Sequence, residues 1–180
     1  MSVQHKQDSI RNMRLERMGI QPPADWNDVA QVRAVKKQEI GAACSAAIYA
    51  GIEVDGSRYS LTEHDQTELM AQAQTVKEGA AAVPYHADGE LCRMYPAEEF
   101  TALAQAATAH VFYHRTYCNH MNAWIARADL EELPAIVYGA ELPKDLAASM
   151  AAIIAAAGGG AVMFLCHFVL RLSGSFPAPH

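Results

Sequence analysis

Val54-Asp55-Gly56-Ser57-Arg58-Tyr59-Ser60-Leu61 is echoed 33 positions on by Ala87-Asp88-Gly89-Glu90-Leu91-Cys92-Arg93-Met94. Each stretch leads into a helix-forming run, one holding Met70-Ala71-Gln72-Ala73 and the other Leu103-Ala104-Gln105-Ala106, again 33 positions apart. Asp-Gly between short apolar runs signals a tight β-hairpin, because a type I′ turn needs positive φ at both central residues. Each copy therefore reads as a hairpin feeding a helix, the first over about 52–61 and the second over about 83–94. The period matches helical-repeat lengths, but those units are helix pairs without a hairpin, and two copies are too few for a solenoid. The expected fold class is α+β, mainly α, with two short Asp-Gly β-hairpins forming a small antiparallel sheet. Side by side, they would make four strands.

Outward from the repeat, the flanks read as helices. Residues 5–19 form a short amphipathic helix with Ile10, Met13, Leu15 and Met18 inward, ended by Gly19. After the rigid Gln21-Pro22-Pro23 break, the short polar side chains of Asp25-Trp26-Asn27-Asp28 offer an N-cap for a long helix closed by Gly51. Thr62-Glu63-His64-Asp65 is a cap-like start for a helix to about Lys77. Pro96-Ala97-Glu98-Glu99 opens the longest helix, to about Ala128, with proline and acids in its first turn. Its apolar stripe is Phe100, Leu103, Ala107, Val111, His114, Cys118, Met121 and Ile125. Leu133 to Gly139 reads as a short extended connector, and Leu142-Pro143-Lys144-Asp145 restarts a helix through Ala157. The expected organisation is an N-terminal helix and Pro-Pro linker over 1–23, a core domain over 24–128, and a C-terminal helix and apolar tail over 129–180.

Composition narrows the function classes. The 180 residues are 51% hydrophobic and 19% charged, below the usual ~25% charge of a globular chain, and much of the apolar content is alanine. A low-charge, alanine-rich chain often hides surface in an oligomer, which makes a homo-oligomer the expectation here. The net charge of -6 is uneven: residues 1–40 carry +2 and the remainder -8. An acidic body argues against phosphate-backbone binding, and the Arg11, Arg14, Arg17 series reads as a solvated helix face. Cys44, Cys92, Cys118 and Cys166 lack CxxC spacing, and the polar N-terminus has no apolar signal-like run. This points to free thiols in a reducing cytoplasm. Residues 146–170 hold no formal charge, yet the alanines, Gly158-Gly159-Gly160 and His167 favour a soluble helix, a hinge and an apolar segment docked on the body or a neighbour over a membrane span.

Candidate chemistry is sparse. His110, His114 and Cys118 fall at four-residue spacing on one helix face, as imidazole and thiolate ligands of a transition metal could. His120 points nearly opposite, leaving His86 as a candidate fourth ligand. A hydrogen-bonded core histidine beside a buried cysteine explains the same residues more simply, so no metal or cofactor is assigned. Tyr85-His86-Ala87-Asp88 with Cys92 offers base, acid and nucleophile types, but Asp at a turn is expected for turn chemistry alone. No GxGxxG, GxxxxGK[ST], GxSxG or HExxH occurs. Phe112 and Tyr113 lie off the main stripe and favour a second buried face against a partner.

From Val32 to about Ala128 the pattern resembles an uncharacterised domain family encoded among bacteriophage tail and tail-fibre genes. The matching stretches are Val54-Asp55-Gly56-Ser57-Arg58-Tyr59, Val83-Pro84-Tyr85-His86-Ala87-Asp88-Gly89-Glu90 and Pro96-Ala97-Glu98-Glu99-Phe100. The chain departs from that pattern at Tyr85-His86, where a tryptophan or other large apolar residue is expected. The resemblance implies a phage or prophage origin and carries over no catalytic residue. The leading expectation is a non-enzymatic tail-region structural, adaptor or assembly protein, homo-oligomeric, in the virion or the bacterial host cytoplasm. It would bind other tail or host proteins and not nucleic acid. The alternatives are a phage accessory protein that binds a host protein or small signalling molecule to counter defence, and a metal-dependent enzyme using His110, His114 and Cys118.

Overall fold

The computed structural model describes residues 3–158. In chain order the elements are α1 (Val3–Arg17), α2 (Val29–Tyr49), β1 (Ile52–Val54), β2 (Ser57–Tyr59), α3 (Glu63–Lys77), β3 (Ala82–Tyr85), β4 (Arg93–Pro96), α4 (Ala97–Arg127), a 3₁₀ turn (Leu133–Ala135) and α5 (Lys144–Ala156). The protein is α+β and mainly α, as its hairpins and helical runs require. The described chain divides into two compact units, one of residues 3–46 and 115–147, the other of residues 47–114 and 148–158.

In the first unit the caps set the helix ends. The Gly19 amide donates to the Glu16 carbonyl and the Ile20 amide to the Leu15 carbonyl, the two bonds of a Schellman ending, with Gly19 at φ +71°. The reversal packs Ile20 on Leu15, and both pack with Val35 against Trp26. Among the α1 side chains that are described, only Leu15 is fully buried. Ile10, Met13 and Met18 are 57%, 49% and 45% exposed, which corrects the inward stripe read from the sequence. At about 100° per residue, Ile10 and Met13 lie roughly 140–160° around the helix from Leu15, so one face cannot bury all of them. Asp28 caps α2 by accepting from the amides of Ala30 and Gln31. Arg33 donates twice to the Ala128 carbonyl, at 2.9 and 2.7 Å, and so satisfies an orphan group at the α4 C-terminus. Met121, Ile125, Ala128, Leu133 and Ile136 are fully buried. The connector after Asp129 is a 3₁₀ turn through Leu133–Ala135, not extended throughout; extended backbone begins at Ile136. The Asp129 carboxylate causes the turn by accepting from the amides of Glu131 and Glu132.

In the second unit the first hairpin forms as its sequence dictates. β1 and β2 pair antiparallel, Ile52 with Tyr59 and Val54 with Ser57, around Asp55 (φ +51°) and Gly56 (φ +81°). The second hairpin departs from the repeat. β3 and β4 pair Ala82 with Pro96 and Tyr85 with Arg93, so residues 86–92 form a longer loop. Of the Asp-Gly pair in it, only Gly89 has positive φ, and the Ala87 carbonyl accepts from the Glu90 amide across the turn. The two hairpins make separate two-stranded ladders rather than one four-stranded sheet. Behind them, Tyr59, Tyr85, Tyr95 and Phe100 form a buried aromatic cluster, with Tyr85 stacked on Tyr59 at 6.4 Å and edge-on to Phe100 at 5.3 Å. Thr62 and Asp65 form a capping box at the start of α3, and Gly79 closes that helix with a second Schellman pair. No helix among the described residues is long and apolar enough to cross a membrane, and the apolar run beyond Gly158 lies outside them.

Two glycines make opposite predictions. A Cβ on Gly51 (φ +76°) would sit 2.0 Å from the Tyr59 carbonyl oxygen, whereas one on Gly41, inside α2, meets nothing within 4 Å. Gly51→Ala should cost about 2 kcal/mol or more. Gly41→Ala should stabilise by about 0.5–1 kcal/mol. Urea unfolding measures both, and equal effects would refute this reading of the α2–β1 junction.

Candidate functional site

The loop between β3 and β4 gathers the polar groups of the hairpin region. The Asp88 carboxylate accepts from the Ser60 amide at 3.0 Å and from the Ser60 hydroxyl at 2.6 Å. The Asp88 amide donates to the Arg58 carbonyl at 2.8 Å, and the Arg58 guanidinium lies 3.9 Å from the same carboxylate. Ser57 donates to Glu90 at 3.2 Å, so the two residues at matching places in the repeat touch each other. Partial burial would raise the Asp88 carboxyl, but the Ser60 bonds and the Arg58 charge outweigh it and hold it below its usual value. Asp55 and Asp88, equivalent in sequence, thus have different roles: Asp55 turns a chain, and Asp88 ties one hairpin to the other.

The other residues of that sequence candidate are spread among separate tasks. Tyr85 points into the aromatic core, where burial pushes its hydroxyl up to about 12. His86 donates from Nδ1 to the Ala87 carbonyl at 3.1 Å. Cys92 is exposed on the loop. The Asp88 carboxylate is engaged by Ser60.

The histidines of α4 sit against carbonyl and aromatic neighbours. His110 donates from Nε2 to the Ala47 carbonyl at 3.1 Å. Its ring lies 4.4 Å, centroid to centroid, from that of His114, which Tyr113 meets edge-on at 5.3 Å. Burial lowers both imidazoles, and His114 falls to about 4 because neighbouring His110 adds to the effect. His120 is buried and donates from Nδ1 to the Thr116 carbonyl at 2.7 Å. Cys118, in the first unit, interacts with buried Cys44, and burial followed by that neighbour pushes its thiol up to about 11. Tyr138 also hydrogen-bonds Cys44, and its hydroxyl is raised, chiefly by burial. Among the described residues, no three His, Cys, Asp or Glu side chains are grouped so that they could hold a metal ion.

Two features escaped the sequence reading. Cys44 and Cys118 meet although 74 positions separate them, a pairing between helices that local periodicity does not specify. Each unit also has a groove. That of the first unit, about 520 Å³, is polar and edged by Asp8, Asn12, Glu16, Asp25 and Trp26. Trp26 is fixed there by a bond to Asn12 at 3.0 Å and by Arg11 5.3 Å over its ring. The groove of the second unit, about 810 Å³, runs along α3 and α4 and is apolar.

The fold and its polar clusters define a mainly helical α+β protein whose hairpin pair is tied by a carboxylate. Residues 31–140 match the family described as "Domain of unknown function (DUF4376)", and the chain belongs to that family. No curated protein and no solved structure matches it.

The lowered His114 value has a testable sign. A folded value near 4 against the usual 6.5 means the unfolded chain takes up the proton first. Stability is therefore lost as pH falls from about 6.5 toward 4, and His114→Gln should remove part of that loss. In an NMR titration, His114 should stay neutral down to about pH 5; a midpoint near 6.5 would contradict its burial.

Proposed function

We propose that this protein is a non-enzymatic structural, adaptor or assembly component of a bacteriophage tail region, working as a homo-oligomer that docks on other tail or host proteins. The resemblance of residues 32–128 to a domain encoded among tail and tail-fibre genes gives the setting. One structural observation carries the non-enzymatic role: the groups best suited to chemistry are used to hold the fold. Asp88 is bonded to Ser60, His110 and His120 are bonded to backbone carbonyls, and the Cys118 thiol is pushed up toward its protonated form. Large apolar side chains are meanwhile left at the surface. Leu91, in the β3–β4 loop, is 92% exposed, and Met70 and Met94 are also exposed. Exposed apolar residues of this size suit burial against a partner.

Quantitative mass spectrometry of purified particles and of tail assembly intermediates from a producing host tests the proposal. The expected result is a fixed, small-integer copy number per tail or per intermediate. Absence from both would overturn it.

A further inference from the structure

The first unit brings two thiols together. Cys44 is buried on α2, Cys118 is half-buried on α4, and the two side chains hydrogen-bond each other. Each sulfur also has a polar neighbour. Asn122, one turn further along α4, donates from Nδ2 to Cys118 Sγ at 3.8 Å. Tyr138 hydrogen-bonds Cys44, and burial keeps its phenol protonated, so that the hydroxyl can serve as a donor. The chain around Tyr138 is held against α4 by Tyr117. That hydroxyl donates to the Ala140 carbonyl at 2.5 Å and accepts from the Gly139 amide at 3.1 Å, and its ring meets Tyr138 edge-on at 5.3 Å.

Thiols in contact are one oxidation away from a covalent bond, and a donor beside a sulfur favours the charge that builds on it during exchange. We propose that Cys44 and Cys118 are a redox site, which a small-molecule disulfide converts to an intramolecular disulfide that cross-links α2 to α4. Access assigns the order, because Cys118 is half-buried and Cys44 only 6% exposed. Cys118 Sγ gives up its proton, attacks one sulfur of the small disulfide and expels the other half as a thiolate. Cys44 Sγ then gives up its proton and attacks Cys118 Sγ, expelling the second half. The two protons end on the two expelled thiolates. Each protein sulfur is oxidised by one electron, and the small disulfide is reduced by two. The new bond, about 2.05 Å long, closes the chain between α2 and α4 into a loop and so restricts the unfolded state. The pair is a dithiol where glutathione keeps thiols reduced and a cross-link where the surroundings oxidise. The inference is independent of the tail-region role.

Redox equilibration of the full-length chain tests it. The protein is held at fixed ratios of oxidised to reduced glutathione, folded or in urea, then quenched with acid, alkylated at its free thiols and mapped by non-reducing peptide mass spectrometry. In the folded chain the map should show Cys44 linked to Cys118 in a product of single-chain mass. Its equilibrium constant against glutathione should exceed that of the same link in urea by at least about tenfold, the factor by which the bond in turn favours the fold. A ratio of one or below would mean that the fold opposes the bond, and would overturn the proposal. Glutathione left on Cys118 beside a free Cys44 thiol would also overturn it, as would links made chiefly by Cys92 or Cys166.

Discussion

The Asp88 carboxylate holds the hairpin region together. A ladder of three or four residue pairs is marginal by itself, and neither hairpin extends the other's ladder. Asp88 links them with two bonds to Ser60 and a backbone bond to Arg58, beside the Ser57–Glu90 bond. The aromatic cluster joins the same two hairpins. The hydroxyls of Tyr59, from the first hairpin, and Tyr95, from the second, lie 3.1 Å apart in the core, which requires the strands to be fixed in place. Charge-assisted bonds tolerate partial exposure better than a lone surface ion pair, because the donors are held by the backbone.

Much of this architecture is legible in the sequence because local chemistry decides it. Thr62 with Asp65, Asp28, Gly19 and Gly79 mark helix ends through bonds made within a few residues, and each end falls where its cap stands. Asp55-Gly56 likewise needs nothing beyond its own turn. Asp88-Gly89 carries the same letters, but a tertiary bond to Ser60, 28 positions away, overrides the turn and opens a longer loop. The stripe on α1 fails for a related reason. Periodicity lists apolar residues without choosing among them, and the Schellman reversal at Gly19 selects the Leu15 side. The meeting of Cys44 with Cys118 is a pairing between two helices, which neither stripe specifies alone.

The histidines and cysteine at four-residue spacing on α4 are partly buried: burial lowers His110 and His114 and raises Cys118, and His110 Nε2 donates to the Ala47 carbonyl. Neutral imidazoles and a protonated thiol are the forms that a low-dielectric environment favours. While these polar groups are drawn inside, large apolar residues such as Leu91 stand exposed.

A double-mutant cycle on Ser60→Ala and Asp88→Ala, read by urea unfolding at pH 7, tests the role of Asp88 most directly. A coupling of about 1 kcal/mol is expected, reduced from the full worth of a charged bond by the exposure of the carboxylate. Because the folded value of Asp88 is depressed below 3.8, the coupling should be complete above that pH and vanish as pH falls through the folded value. Additivity within about 0.3 kcal/mol at pH 7 would contradict the account and leave the aromatic cluster alone to hold the hairpins together.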